Sequence, residues 1–195
     1  MIDDRFAILG ALFGLIGAVS YIKDTISGKV KPNRVSWFMW ALAPLIAFAA
    51  QLDKGVGWTS VMTFSVGFNP LLIFMASFVN KKSEWKLERL DVICGVSSFF
   101  GLILWMISRE ANVAIFFALT ADILASIPTL VKSYKFPETE NYKVFLFGMG
   151  NSLIALLTIR EWNFETASFP IYIFVVTLLL VYLIAVRPKM SGAKK

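Results

Sequence analysis

The sequence predicts an all-α integral membrane protein whose seven transmembrane helices form two parallel three-helix bundles plus a linker helix (3+1+3). Three observations predict this class. Hydrophobic residues make up 57% of the 195 residues and the mean hydropathy is +0.70, which is more apolar than a soluble domain of this size needs. Apolar stretches long enough to cross a bilayer occur seven times. The first and last parts of the chain also share a pattern of helices and connectors.

Seven apolar stretches, separated by polar or Gly- and Pro-containing connectors, are the predicted membrane spans. A helix needs about 20 apolar residues to cross the hydrocarbon core, and each stretch comes close to this length. They cover approximately residues 6–25, 35–51, 56–79, 90–108, 112–131, 143–159 and 167–186. The acidic start MIDDRFAILG and the lack of a small-residue cleavage site after the first stretch favour a retained helix over a removable signal peptide.

The distribution of positive charge predicts the orientation of these spans. Fifteen of the 19 Lys and Arg residues fall on one side, and four, Arg5, Lys54, Arg109 and Arg160, fall on the other. The basic side is expected to be cytoplasmic, because cytoplasmic loops carry the excess of Lys and Arg. We therefore expect a multi-pass protein of the cell (inner) membrane with an outside N-terminus and a cytoplasmic C-terminus. The net charge of +6 is spread over short loops, so nucleic acid is not an expected partner.

An internal repeat underlies the bundle prediction. A shift of 108 positions aligns the first two spans with the fifth and sixth and places Asn33 on Asn141, and a shift of 107 aligns the third span with the seventh. Three spans is an odd number, so a second copy would insert upside down unless one extra helix crossed between the copies. The fourth span provides that crossing. The predicted division is 1–82 for the first repeat, 83–110 for the linker helix, 111–188 for the second repeat and 189–195 for a cytoplasmic tail.

The composition excludes several chemistries. The chain contains no His and one Cys, which excludes Cys/His zinc sites, catalytic histidines and an intrachain disulfide framework. Cys94 lies in an apolar run and is expected to be a small buried hydrophobic residue. The spans contain no paired acids and no nucleophile with a recognisable base. We therefore expect no enzyme activity, no metal and no cofactor.

The end of the fifth span contains a motif that indicates a family. Beginning at Asp122, it runs Asp-Ile-Leu-Ala-Ser-Ile-Pro-Thr-Leu-Val-Lys-Ser-Tyr-Lys. It resembles the Pro-Gln turn and basic loop of the PQ-loop and SWEET superfamily, with Pro128-Thr129 here and Ser20-Tyr21 at the first-repeat position. The resemblance implies seven spans, an outside N-terminus and alternating-access transport of a small polar solute such as a sugar, an amino acid or a vitamin. The superfamily also has receptor-like members, so a non-transporting receptor or assembly factor is the alternative.

Asp122, near the middle of the fifth span, is the most prominent site candidate. A charged carboxylate there costs at least ~2.5 kcal/mol on insertion scales, and an ionisable residue inside a span is a functional-site hypothesis by default. We expect it to bind substrate, as a proton-coupling group or as the counter-ion of a cationic substrate. The alternative is a neutral Asp that only forms a hydrogen bond with a neighbouring helix. Its first-repeat counterpart is Gly14, so the role is confined to the second repeat.

Four further residues complete the predicted substrate-binding set: Trp40, Asn69, Ser126 and Asn151. A buried side-chain amide needs partners and offers both donors and an acceptor to a polar solute. SWEET-type sugar carriers line their pocket with a Trp of the second helix and an Asn of the third, and the resemblance implies these roles for Trp40 and Asn69. Trp37 lies within a turn of the preceding connector, so we expect it to be an interfacial anchor.

Prolines inside the spans are the hinge candidates, chiefly Pro44, Pro70 and Pro128. Each removes a backbone hydrogen bond and bends its helix, which a transporter can use when one bundle rocks against the other. Small residues at a spacing of four, such as Gly10 and Gly14, indicate close helix packing. The expected partners are the lipid bilayer and a small-molecule solute. Two bundles in one chain can form a pocket by themselves, so an oligomer is not required.

Overall fold

The computed structural model describes residues 7–53, 58–108, 110–159 and 161–190, and within these ranges it is helical with no strand. The predicted all-helical class is therefore confirmed. Seven long helices occupy the seven predicted stretches to within a few residues: α1 Ala7–Ile26, α2 Arg34–Asp53, α3 Trp58–Ala76, α4 Arg89–Ile107, α5 Ala111–Lys135, α6 Tyr142–Thr158 and α7 Phe164–Val181. A π-helical turn, Tyr182–Val186, then joins α7 to a last short helix, Arg187–Met190. Arg5, Lys54, Arg109, Arg160 and the tail residues 191–195 lie outside the described residues.

The lengths and surfaces of the helices indicate a membrane protein. Four of the described segments are long and apolar enough to cross a bilayer: Ile8–Ile26, Arg89–Ile107, Ile115–Lys135 and Thr166–Met190. The described parts of α2, α3 and α6 contain shorter apolar stretches. Large apolar side chains also cover the outer faces; on α4, Ile93 is 63% and Ile107 is 67% exposed. Such a surface is suited to lipid rather than to water.

Six of the seven helices form a closed ring of contacts. Around the ring, α1 packs on α3, α3 on α2, α2 on α5, α5 on α7, α7 on α6 and α6 on α1. The fourth helix lies outside the ring, against α5 and α2. The ring is related to itself by exchanging α1 with α5, α2 with α6 and α3 with α7. Under this exchange, each pair of neighbouring helices in the ring becomes another pair of neighbouring helices. The exchanged helices are the same pairs that the sequence shifts of 108 and 107 align.

Close approach of two helices across this ring depends on glycine. Gly10 of α1 lies directly against the Asn151 side chain of α6, and Gly17 lies against Val144. A Cβ atom on Gly17 would come within 3.0 Å of the Val144 Cα atom, which is backbone and cannot move aside. These pairs also show that α1 and α6 are antiparallel. The predicted packing role of the small residues on α1 agrees with this geometry.

One end of the bundle gathers the connectors 27–33, 77–88 and 136–141, and we call it the basic end. Asn80, after α3, donates a hydrogen bond to the carbonyl of Ile26, the last residue of α1, at 2.8 Å. The Lys31 amide donates to the Thr139 carbonyl at 2.9 Å, which joins the connectors 27–33 and 136–141. Gly28 lies in the first of them with φ of 80°, a left-handed conformation that glycine adopts without strain. The connectors therefore form a continuous layer across this end.

Asn33 and Asn141 have the same role in this layer. The side chain of each accepts hydrogen bonds from backbone amides at the start of the helix that follows it, α2 or α6. Each also donates to a carboxylate of another helix: Asn33 to Asp91 at 2.9 Å and Asn141 to Asp24 at 2.6 Å. The two positions that the repeat aligns thus begin equivalent helices and tie them to a neighbour.

A buried ion pair joins α5 to the connectors. The Lys132 Nζ atom lies 2.6 Å from Glu140 Oε1, and the two side chains are 1% and 0% exposed. Lys132 also donates to the Lys31 carbonyl, and the Tyr21 hydroxyl of α1 donates to Glu140 Oε2 at 2.6 Å. The fifth span is predicted to end at about residue 131, with Lys132 in the following loop, and this placement of Lys132 is wrong. The fifth helix continues unbroken through Pro128 to Lys135, and Lys132 and Ser133 in its last turn are buried, whereas Lys135 is exposed.

The core of the ring lies just inside the basic end. Trp37 is 3% exposed, and its ring centroid lies 4.9 Å from that of Tyr21 and 6.1 Å from that of Phe145. The expectation that Trp37 anchors at the interface is therefore wrong. The second helix begins at Arg34, so Trp37 is one turn inside it and on the face that points into the ring. Cys94 of α4 is 5% exposed, which confirms its prediction as a small buried residue.

Candidate functional site

The ring encloses a cavity of about 370 Å³. Residues of six helices, α1, α2, α3, α5, α6 and α7, line it, whereas α4 contributes none of the described lining. Ligand pockets for small molecules have volumes of about 300 to 1,000 Å³, so the cavity is at the small end of that range. Its position means that both halves of the chain contribute walls.

Four of the five predicted substrate-binding residues lie on this cavity. Trp40 comes from α2, Asn69 from α3, Asp122 from α5 and Asn151 from α6. The structure does not bring Ser126 to the wall: this residue is 1% exposed, and its hydroxyl donates to the Ile123 carbonyl at 2.8 Å. Residues separated by more than a hundred positions along the chain therefore meet at one place.

The glycine face of α1 makes room for the two amides. Asn69 Nδ2 would lie 3.2 Å from a Cβ atom placed on Gly14, and the Asn151 amide oxygen occupies the space where a Cβ atom of Gly10 would stand. A side chain at either position would push an amide away from its present place. These glycines, which are predicted to serve helix packing, therefore also hold space for polar groups of the cavity.

Asp122 is the only described residue of α5 that lines the cavity. Its Oδ2 atom is shielded from solvent and has no hydrogen-bond partner within ordinary geometry. Tyr172 of α7 faces it, and its hydroxyl lies close enough to interact with the Asp122 carboxyl and with Ser126, although neither contact reaches full hydrogen-bond geometry. A buried polar group without a partner costs about 1 to 3 kcal/mol, so the carboxyl and the phenol form a pair that is only partly satisfied.

Tyr172 is not among the site residues predicted from the sequence. It stands two residues after Pro170 in the most apolar of the candidate spans, where a hydroxyl inside the membrane is itself a signal. Tyr hydroxyls that are buried in proteins usually find a partner. A search of the seventh span for polar side chains opposite Asp122 would have found it.

The rest of the wall is mostly apolar and aromatic. Trp37 and Trp40 meet edge to face with ring centroids 5.1 Å apart, and Phe145 and Phe169 also line the cavity. Two of the three hinge candidates, Pro44 and Pro70, line it as well, together with Pro170, whereas Pro128 is fully buried elsewhere. Among the described lining residues, Asp122 is the one charged side chain.

The cavity is closed at the basic end. Tyr21 and Ile73 are 0% exposed and Leu180 is 1% exposed, and these residues pack with Trp37 and Phe145 into one cluster beneath the connectors. The ion pair of Lys132 and Glu140 lies behind this cluster, because Glu140 accepts the Tyr21 hydrogen bond. Toward the opposite end the lining side chains are only partly buried, as at Pro44, Ala155 and Phe169. The cavity thus has one sealed end.

Comparison with known proteins identifies no relative. No family model matches the chain, and no curated protein or solved structure matches it either. The resemblance to the PQ-loop and SWEET superfamily therefore stays a prediction from the sequence. The function has to be argued from the cavity and from the helices around it.

Proposed function

We propose that the chain is a transporter or facilitator of a small solute that works by alternating access between two three-helix bundles. The observation that carries this proposal is the cavity itself. It lies inside the ring of six helices, it collects Asp122, Asn69 and Asn151 from three different helices, and it is sealed at one end. A site between two similar bundles is where transporters with parallel repeats bind their solutes.

In this proposal all seven helices cross the membrane, with α1–α3 and α5–α7 as the two bundles and α4 as the linker. The exchange of contacts within the ring supports the pairing of the bundles. The excess of Lys and Arg supports a cytoplasmic basic end, an outside N-terminus and a cytoplasmic C-terminus. The sealed end of the cavity is then the cytoplasmic one, so the structure corresponds to a state that is closed to the cytoplasm. This plan is that of the PQ-loop and SWEET superfamily.

Access from the cytoplasm requires the basic end to open. The bundles meet where α1 packs on α6 and where α2 packs on α5, so rocking separates or tightens these two contacts. The hydrogen bond from Tyr21 of α1 to Glu140, which pairs with Lys132 of α5, crosses from one bundle to the other and would have to break. Pro44 and Pro70, both beside the cavity, are the proposed hinges.

Asp122 is the proposed proton-coupling residue. It has no ion-pair partner among the described residues, and the Tyr172 hydroxyl, which also contacts Ser126, faces it. A carboxyl that binds a proton in one state and releases it in the other links solute movement to a proton gradient. Asp122→Asn keeps the shape and removes the titration, so whatever uptake the variant retains should not depend on a pH gradient. Unchanged gradient dependence in that variant would remove Asp122 from the coupling mechanism.

An uptake screen in proteoliposomes tests transport as such. The full-length protein would be reconstituted and offered panels of sugars, amino acids, vitamins and amines, with and without a pH gradient. We expect saturable uptake of at least one class. A lack of flux for every class, from vesicles that contain folded protein, would argue against transport.

The second candidate is a non-transporting receptor or assembly factor. The buried ion pair and the aromatic cluster at the basic end favour it, because they hold that end closed. Cysteine accessibility separates the two candidates. Asn69→Cys and Asp122→Cys, each in a Cys94→Ala background, should react with membrane-impermeant reagents from either face in a transporter, and from one face only in a receptor.

A further inference from the structure

We infer that the cavity selects an organic cation, a small ammonium compound with an apolar or aromatic body, and that Asp122 is its counter-ion. This inference rests on the proposed transport function only for the movement of the ligand, since binding can be tested separately. It follows from the charge of the lining, from where its polar atoms point, from the aromatic wall beside Asp122 and from the size of the cavity.

The charge of the described cavity lining favours a cationic ligand. Among the described residues, no Lys or Arg lines the cavity and no ion pair involves Asp122. The nearest cation along α5, Lys132, is ten residues away, which is about 15 Å along the helix, and it is paired with Glu140. The neutral Tyr172 hydroxyl beside Asp122 offers a dipole but no positive charge. A charge without a counter-ion in an apolar site is unfavourable, so a cationic ligand is the partner that the carboxylate lacks.

The lining disfavours anions and zwitterions. The described wall offers no cationic side chain to a ligand carboxylate or phosphate. The first turns of α2 and α6 reach the lining at Trp37 and Val144, but the side chains of Asn33 and Asn141 already accept hydrogen bonds from amides at these helix starts. An anion would also meet Asp122 in a medium of low dielectric constant, where like charges repel strongly. An amino acid would gain at its ammonium group and lose at its carboxylate.

The described lining has few free hydrogen-bonding groups for a sugar. A polyol needs many hydrogen-bond partners, but the two hydroxyl side chains of the lining are already engaged. Ser152 donates to the Met149 carbonyl at 2.9 Å, and Thr177 donates to the Ile173 carbonyl at 2.6 Å. Two amides, one carboxylate and the indole N–H groups of Trp37 and Trp40 remain among the described polar groups, surrounded by apolar walls. This set satisfies one polar head group and leaves the rest of the ligand in an apolar environment.

The aromatic wall of the cavity places Trp40 at the level of Asp122. Trp40 packs against a cluster that contains Ala121 and Ala125 of α5, which stand one residue before and three residues after Asp122. The Trp40 ring therefore lies at the same level of the bundle as the carboxylate. Tryptophan is the aromatic side chain that attracts cations most strongly, and ammonium groups are often bound by a carboxylate together with aromatic faces. The volume of about 370 Å³ admits a molecule of roughly the size of benzyltrimethylammonium.

Binding to the full-length protein in nanodiscs tests this inference. The probe is benzyltrimethylammonium, whose charge does not depend on pH, and the comparison ligands are benzyl alcohol and benzoate. We expect saturable binding of the cation by calorimetry and by thermal stabilisation, and no saturable binding of the alcohol or the anion at the same concentrations. Asp122→Asn should weaken cation binding about 30-fold or more, since truncating one member of a buried charge pair has effects of this size.

Two controls keep the result interpretable. Glu138→Gln changes an exposed carboxylate of the basic-end connector to an amide and should leave cation affinity unchanged. Trp40→Leu should weaken the cation about fivefold, while Trp40→Phe should recover part of the loss. If Asp122→Asn fails to fold, which gel filtration and melting would show, the Trp40 pair still decides the matter: equal affinity in both variants and the wild type would overturn the cation site.

The outcomes also separate binding from transport. Cation binding that needs Asp122, without uptake in proteoliposomes, would overturn transport and retain the cation site. Saturable uptake of a neutral or anionic solute that is unaffected by Asp122→Asn would overturn the cation site and retain transport. Equal binding of the cation to the wild type and to Asp122→Asn would indicate partition into lipid and would also overturn the inference.

Discussion

Replacing Lys132 by Met tests how far the buried ion pair stabilises the fold. The variant keeps a long, unbranched side chain and removes the cation, so Glu140 loses its partner at 2.6 Å in a place where neither side chain is exposed by more than 1%. The Lys31 carbonyl loses its donor as well. Removing one member of a buried pair generally costs about 3 to 5 kcal/mol, most of it from the uncompensated charge that remains.

The double variant Lys132→Met with Glu140→Gln provides the decisive comparison. It removes both charges and keeps an acceptor for the Tyr21 hydroxyl, so it should be at least about 2 kcal/mol more stable than Lys132→Met alone. Lys135→Met, an exposed position three residues further along α5, is the matched control and should change stability by less than about 0.5 kcal/mol.

The free energy of unfolding would be measured by SDS titration in mixed micelles and followed by the fluorescence of the tryptophans. Two results would refute the reasoning. Either Lys132→Met costs less than about 1 kcal/mol, or the double variant is no more stable than the single one. The first result would mean that the pair is accessible to water, and the second would mean that the loss comes from packing rather than from charge.

Three further variants probe the rest of the bundle. Gly17→Leu should destabilise the fold by about 1 to 3 kcal/mol, because its side chain meets the backbone of α6 at Val144, whereas Gly150→Ala, with 3.8 Å to its nearest neighbour, should have little effect; equal melting of the two would contradict the close contact. Asn33→Ala should cost about 2 kcal/mol in the same SDS titration through the lost cap of α2 and the lost donor to Asp91, and a cost near zero would mean that the network is not formed. Asp122→Leu should raise the stability by about 1 kcal/mol while abolishing solute binding, since it removes a buried carboxylate whose Oδ2 atom lacks full hydrogen-bond geometry; lower stability would show that the contact with Tyr172 stabilises the fold.

The positions of the helices were accessible from the sequence because two simple physical effects determine them. Apolar stretches must be about 20 residues long to cross a bilayer, and each of the predicted stretches coincides with a helix. Asp122, Asn69 and Asn151 were also identifiable, since polar side chains in the middle of apolar stretches avoid lipid and turn toward the interior. That all of them line one cavity follows from the same effect.

The misjudged residues depend on the rotation of helices and on partners far away in the chain. Trp37 is one turn inside α2, where a tryptophan ring can turn outward to the head groups or inward to the core, and hydropathy does not distinguish the two. Lys132 looked like a loop residue because its partners, Glu140 and the Lys31 carbonyl, come from two separate connectors. Ser126, one turn from Asp122, faces away from the cavity, and a few tens of degrees of helix rotation decide such a case.

The exchange of helices within the ring bears on how a ligand can lie inside it. A ring that keeps its pairs of neighbouring helices when α1 and α5 change places offers an asymmetric ligand two similar orientations. Asp122 on α5 corresponds to Gly14 on α1, so the carboxylate removes this degeneracy and leaves one orientation for a charged head group. A molecule with an ammonium group at each end would then gain nothing from its second charge beyond a statistical factor of about two, or roughly 0.4 kcal/mol.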